Sequence, residues 1–152
     1  MNTTVVSTLH GVTLVTLQSS PANVTFVSDV FEKIAAKNIN IGMISMAPTH
    51  GPVTSLSFTI DDDDLVSMLT FTAELKKEMD IKAIMSSVNH KISVHDANMK
   101  NTPGVASKLF TAIRNTGADL RLITTSEVDI SLLVSDADYD NVYAEIKKAF
   151  ND

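Results

Sequence analysis

Cysteine is absent from the 152-residue chain, and so is tryptophan. Without cysteine there is no disulfide framework and no thiolate-based metal or redox centre. Aromatic residues amount to 5%, which leaves little material for stacking on bases, sugars or flavins. Positive charge is also short: 12 Lys+Arg stand against 18 Asp+Glu, for a net charge of −6, which argues against nucleic acid as the main partner. No apolar run approaches the ~20 residues of a membrane-spanning helix. The opening Met1-Asn2-Thr3-Thr4 has neither the basic flank nor the apolar core of a secretory signal. The expectation is a cytoplasmic protein with no membrane partner. The five glycines form no phosphate-cradling G-x-x-x-x-G-K or G-x-G-x-x-G run, and the four histidines show no H-x-x-x-H spacing with a third ligand. Neither a cofactor nor a metal is expected, and no catalytic nucleophile–base pair can be assembled.

What the chain does contain is a copy of itself. Val12-Thr-Leu-Val aligns with Lys91-Ile-Ser-Val, Phe26-Val-Ser-Asp-Val-Phe31 with Val105-Ala-Ser-Lys-Leu-Phe110, and Asn38-Ile-Asn-Ile-Gly-Met-Ile44 with Gly117-Ala-Asp-Leu-Arg-Leu-Ile123, all at one offset of 79 residues. The register slips around Thr49-His-Gly-Pro-Val53. It resumes with Ser55-Leu-Ser-Phe-Thr-Ile60 on Asp129-Ile-Ser-Leu-Leu-Val134 and Ala73-Glu-Leu-Lys-Lys77 on Ala144-Glu-Ile-Lys-Lys148.

Periodicity reads both copies alike. β-rich runs at 12–17 and 92–97 lead through polar loops into amphipathic segments, Phe26/Val30/Phe31/Ile34 and Val105/Leu109/Phe110/Ile113. Strands follow at 39–45 and 118–124, then at 54–60 and 128–134, and helices at 63–79 and 136–150 close each copy. Asp at both of those helix starts suits a cap at the positive end of the dipole. The run Asp61-Asp62-Asp63-Asp64 reads as a solvated turn with a cap, not a cation site. His10 and His90 each precede the first strand of a copy, which suggests a shared turn role.

Each copy is therefore β-α-β-β-α, one strand short of a ferredoxin-like unit. The first finds its fourth strand at 82–88. The second has nothing after Phe150 that could serve, whereas the β-rich run 4–9 ahead of the first copy is unassigned. The fold class expected is α+β: two ferredoxin-like βαββαβ units, with the N-terminal strand completing the second. The units would comprise residues 10–89, and 3–9 plus 90–152.

Two stretches carry a specific resemblance. Asn98-Met-Lys-Asn-Thr-Pro-Gly-Val-Ala-Ser-Lys-Leu-Phe110, followed by Leu122-Ile-Thr-Thr-Ser-Glu-Val-Asp-Ile-Ser131, resembles the second ACT domain of an aspartokinase regulatory region. Asn40-Ile-Gly-Met-Ile44 and Ser57-Phe-Thr-Ile-Asp-Asp62 resemble the first. The resemblance implies an allosteric module without the catalytic kinase domain, not catalytic by itself. Such a module binds a free amino acid, threonine or lysine, works with an aspartokinase catalytic domain or subunit, and assembles as a homodimer. It also implies an effector pocket lined by Asn98, Met99, Gly104, Val105 and Ala106 together with Ser126, Glu127 and Val128. In the first copy the corresponding candidates are Ser19, Ser20, Thr25, Phe26, Ser45 and Met46. The first copy has Thr25 where the second has Gly104, and the Asp that many aspartokinases carry is Gly42 in one copy and Arg121 in the other. Those departures weaken the case for lysine. A ligand-free dimerisation module is the competing reading, because unpaired edge strands invite pairing with a second chain.

Overall fold

The computed structural model describes residues 4–150, which divide into two compact units: 11–87, and 4–10 with 88–150. Residue 3 and residues 151–152 of the expected second unit lie outside the described residues. The architecture is α+β and antiparallel, and each unit is ferredoxin-like.

The first unit begins with the C-terminal part of β1 (Val5–Pro21) and continues through α1 (Val24–Ala36), β2 (Ile44–Met46), β3 (Val53–Asp61) and α2 (Leu65–Glu78) into the start of β4 (Lys82–His95). Its strand order is β2-β3-β1-β4. Alternation along β3 buries Leu56, Phe58 and Ile60 beneath the apolar stripe Phe26, Val30 and Ile34 of α1 and Met68, Phe71 and Leu75 of α2. Burial of each such side chain is worth roughly 1.5–3 kcal/mol.

The second unit takes the C-terminal part of β4, then α3 (Val105–Ile113), β5 (Leu120–Thr125), β6 (Asp129–Ser135) and α4 (Asp136–Phe150). Its order is β1-β4-β6-β5, so the N-terminal strand completes this unit. Val6 of that strand packs against a core of Ile92, Val94, Leu109, Ile130, Leu132, Val142 and Ile146. Thr4 Oγ1 donates to Asp96 Oδ2 at 3.1 Å across 92 residues of sequence.

Several element boundaries differ from the sequence-based expectation. The run 4–9, from Val5 on, and the run 12–17 form one continuous strand, because Gly11 takes φ +67° and turns the backbone without ending the ladder. Likewise 82–88 and 92–95 fuse into β4, with Val88 at φ +57°; the expected run to 97 stops at His95, where the chain turns off through Asp96 and Ala97 toward α3. His10 and His90 are therefore strand residues, not turn residues. In the first copy the second strand shortens to 44–46, since residues 39–43 approach β3 only through Gly42 and Met43: Gly42 N–H donates to Thr59 O at 2.9 Å, and Thr59 N–H to Met43 O at 3.0 Å. Asp61 accepts from the Asp63 amide at 2.8 Å and Asp62 from Thr13 Oγ1 at 2.6 Å, so two of the four consecutive aspartates cap and anchor a short 3-10 turn ahead of α2. No described helix is long and apolar enough to cross a membrane.

Candidate functional site

A pocket of about 300 Å³ opens at the N-terminus of α3 in the second unit. Asp96 organises its approach: its Oδ1 accepts from the Asn98 amide at 2.9 Å, and its own N–H donates to Val128 O at 2.9 Å. A single 3-10 turn, Met99–Asn101, carries the chain to Thr102-Pro103-Gly104. Gly104 takes φ +97°, a conformation that L side chains rarely adopt, and serves as the N-cap of α3 with no side-chain cap bond. Lys108 N–H donates to Gly104 O at 2.9 Å, which begins the helical ladder. The amides of residues 105–107 precede that first bond and have no helical carbonyl to meet. They lie at the positive end of the helix dipole.

Met99, Gly104, Val105, Ala106 and Ser126, all expected from the sequence, line this pocket, together with Thr102, Pro103, Thr125 and Ile130. Ile130 is its buried apolar floor, and the β5–β6 register places Thr125 opposite it. Thr125 and Ile130 escape sequence reasoning because they meet only through strand pairing, although the alternation of β5 and β6 was available as a signal. Asn98, Glu127 and Val128 are placed differently. The Asn98 amide is engaged by Asp96, and Glu127 is exposed in the β5–β6 turn. Val128 spends its N–H on Ser126 Oγ (3.2 Å) and its carbonyl on Asp96. None of the residues lining the pocket carries a charge. Arg121 pairs with Asp119 at 3.3 Å on the exposed part of β5 and its approach.

The first copy arranges the same region differently. Helix α1 starts at Val24 and uses Asn23 as N-cap, with Asn23 Oδ1 accepting from the Phe26 amide at 2.9 Å. Thr25 therefore sits within the first turn, not at a glycine-like cap, and is exposed. Phe26 is buried in the core. Ser20 is fully buried and donates to Thr54 O at 3.1 Å, while Ser19 adopts φ +58° at a shift in the β1–β3 register. Ser45 and Met46 lie on β2 opposite Ser57 and Leu56, and Met46 is half exposed. One of the first-turn donors, the Phe26 amide, is here taken by the chain's own asparagine, where α3 has no side-chain cap.

Among the described residues no group of three His, Asp or Glu side chains is arranged to hold a metal ion. The chemistry on offer at α3 is recognition: amide donors for a carboxylate, the three hydroxyls of Thr102, Thr125 and Ser126, and an apolar wall.

Comparison with known proteins gives this geometry a context. The family model of the ACT domain matches residues 92–150, within the unit that carries the pocket. An aspartokinase of Bacillus sp. (strain MGA3) is 29% identical over 140 residues, covering 91% of this chain and 34% of that protein. The chain spans about a third of the length of such curated relatives, or less. Among solved structures, the ligand-free regulatory subunit of aspartate kinase from Thermus thermophilus is similar at 25% identity with a TM-score of 0.86, covering 95% of this chain and 96% of that one. A structure of aspartokinase alpha and beta subunits is similar at 22% identity and a TM-score of 0.84, covering 96% and 97%.

Proposed function

For a chain that belongs to the ACT-domain regulatory regions of aspartokinases, we propose that it senses a free amino acid at the N-terminus of α3 and so controls an aspartate kinase catalytic domain or subunit. The observation that carries this reading is the uncapped first turn of α3 opening into a pocket. Its amides are ready donors for an α-carboxylate. The two readings of the catalytic partner, one on the same polypeptide and one as a separate subunit, both have counterparts among the similar proteins.

Threonine fits the pocket better than lysine. Its hydroxyl matches the hydroxyls of Ser126 and Thr125, and its methyl the apolar Met99 and Ile130, all of which line the pocket. Lysine would bring an ε-ammonium into a pocket with no charged lining residue, and burying an unpaired charge is costly. The reading includes a cytoplasmic location, where a free amino acid can be sensed as an end product. It includes one effector site per chain, since α1 carries a side-chain cap, Asn23 on the Phe26 amide, where α3 carries none. It also includes a homodimer joined through edge strands, supported by the exposed Ile44 and Met46 on β2 and Ile123 on β5.

Titration calorimetry against threonine and lysine tests the ligand. Saturable threonine binding, with one site per chain, is the expected outcome, and Gly104→Asp should abolish it by placing negative charge at the carboxylate position. Tight lysine binding without threonine binding would overturn the assignment of ligand. If no amino acid binds and sedimentation still gives a dimer, the chain is an assembly module, a reading that the self-capped α1 favours.

A further inference from the structure

Two histidines 80 residues apart meet in the second unit. His10 lies on β1 and His90 on β4, with their Nδ1 atoms 2.9 Å apart. His90 is only 9% exposed, and its Nε2 lies 2.6 Å from Oδ1 of Asp136, the first residue of α4. Tyr139, one turn along α4, sets its ring against both imidazoles at centroid distances of 5.1 and 4.8 Å, and Tyr143 stacks on Tyr139 at 5.5 Å. The backbone beside the pair is unusual on both strands: Gly11 follows His10 at φ +67°, and Val88 stands two residues before His90 at φ +57°. A β-branched residue at positive φ persists only where its surroundings hold it there.

The hydrogen atoms follow from donor and acceptor chemistry. A carboxylate only accepts, so His90 must carry its proton on Nε2. A neutral His90 then presents a lone pair at Nδ1, and His10 must donate from its own Nδ1. One added proton preserves the central bond, because His90 then donates through Nδ1 and His10 accepts, with the imidazolium lying against Asp136. A second added proton places hydrogens on both facing Nδ1 atoms, and no bond can form between them. The pair therefore closes with zero or one extra proton and opens with two.

Beside Gly11, the Asp62 carboxylate accepts from Thr13 Oγ1 at 2.6 Å. The β1 segment carries Val6 and Thr8 on the face of His10, and β6 sets Val134 opposite His90. Lys91 points to the opposite face of β4 by alternation. On α4, Asp138 is engaged by Ser135 Oγ and by the Asp119 amide, both at 3.2 Å. His95 pairs with Asp129 at 3.8 Å, at the other end of the β4–β6 register.

We propose that His10, His90 and Asp136 form a proton-operated clasp that helps hold the N-terminal strand in the second unit, closed with zero or one added proton and loosened by a second. The clasp is independent of any ligand and acts on a strand that the chain contributes from 80 residues away.

Long-range nitrogen–proton NMR correlations at neutral pH read the tautomers directly, with Nδ1–H expected on His10 and Nε2–H on His90. Hydrogen exchange of amides 5–10, corrected for intrinsic rates, should lose protection between neutral pH and about pH 5, by up to about tenfold for one net hydrogen bond. His10→Phe should be poorly protected at both pH values. His10→Asn keeps the clasp at both, since its amide group can donate to His90 Nδ1 or accept from it, and should abolish the pH response. The Nε2–H tautomer on His10, or a His10→Asn variant that responds to pH as the parent chain does, would overturn the proposal.

Discussion

Thr59 Oγ1 accepts the Met43 amide at 2.8 Å and stands 2.6 Å from where a Cβ on Gly42 would lie. Gly42 is one of the positions at which many aspartokinases carry Asp, and here a side chain is excluded by the hydroxyl that satisfies its neighbour. Gly42→Ala should destabilise the first unit by ~1–3 kcal/mol through overpacking, measured by urea unfolding. Thr59→Ala relieves the clash but leaves a buried amide without its acceptor, so the double variant should not recover the parent stability. The sequence displays the missing Asp, but not its cause, because Thr59 lies 17 residues away and meets Gly42 only through the pairing with β3. Met99, Gly104, Val105 and Ala106 came from the resemblance of the stretch 98–110 to an ACT domain; by itself Pro103-Gly104 declares only a turn into a helix. The meeting of His10 with His90 had no local signal at all.

At the scale of elements, the two copies differ most in how their first helices begin. α1 is capped by Asn23 and α3 by Gly104, which offers no side chain. Replacing Asn23 by Ala should lower stability by ~1 kcal/mol, the usual worth of a side-chain N-cap. If effector binding belongs to α3 alone, the same variant should leave amino-acid affinity unchanged, which calorimetry can check alongside the unfolding curve. Periodicity recovered all four helices, because their apolar stripes are written in contiguous sequence. It divided β1 and β4 into four runs, since Gly11 and Val88 turn the backbone without breaking the ladder. A polar or flexible residue between two β-rich runs looks the same whether it ends a strand or bends one.

At the scale of the whole chain, residues 4–10 belong to the unit formed mostly by residues 88–150. Counting strands was enough to infer this, because a ferredoxin-like unit with three strands leaves one place unfilled. The consequence is that the order of dependence differs from the order of the sequence. Residues 11–87 contain their own core of Phe58, Ile34, Met68 and neighbours. Residues 88–150 depend on β1 for the strand beside β4, the packing of Val6 and the bond from Thr4 to Asp96. Asp96 in turn holds Asn98 and Val128, which frame the approach to α3. Removing residues 1–10 should therefore leave protection in 24–78 near that of the parent chain while exposing the amides of β4 and β6 around 88–95 and 129–135 to rapid exchange. Amino-acid binding at α3 should fall with it, although no residue removed lines the pocket. Loss of protection first in α1 or β3, with the second unit intact, would show that the N-terminal strand supports the unit nearest to it in sequence instead.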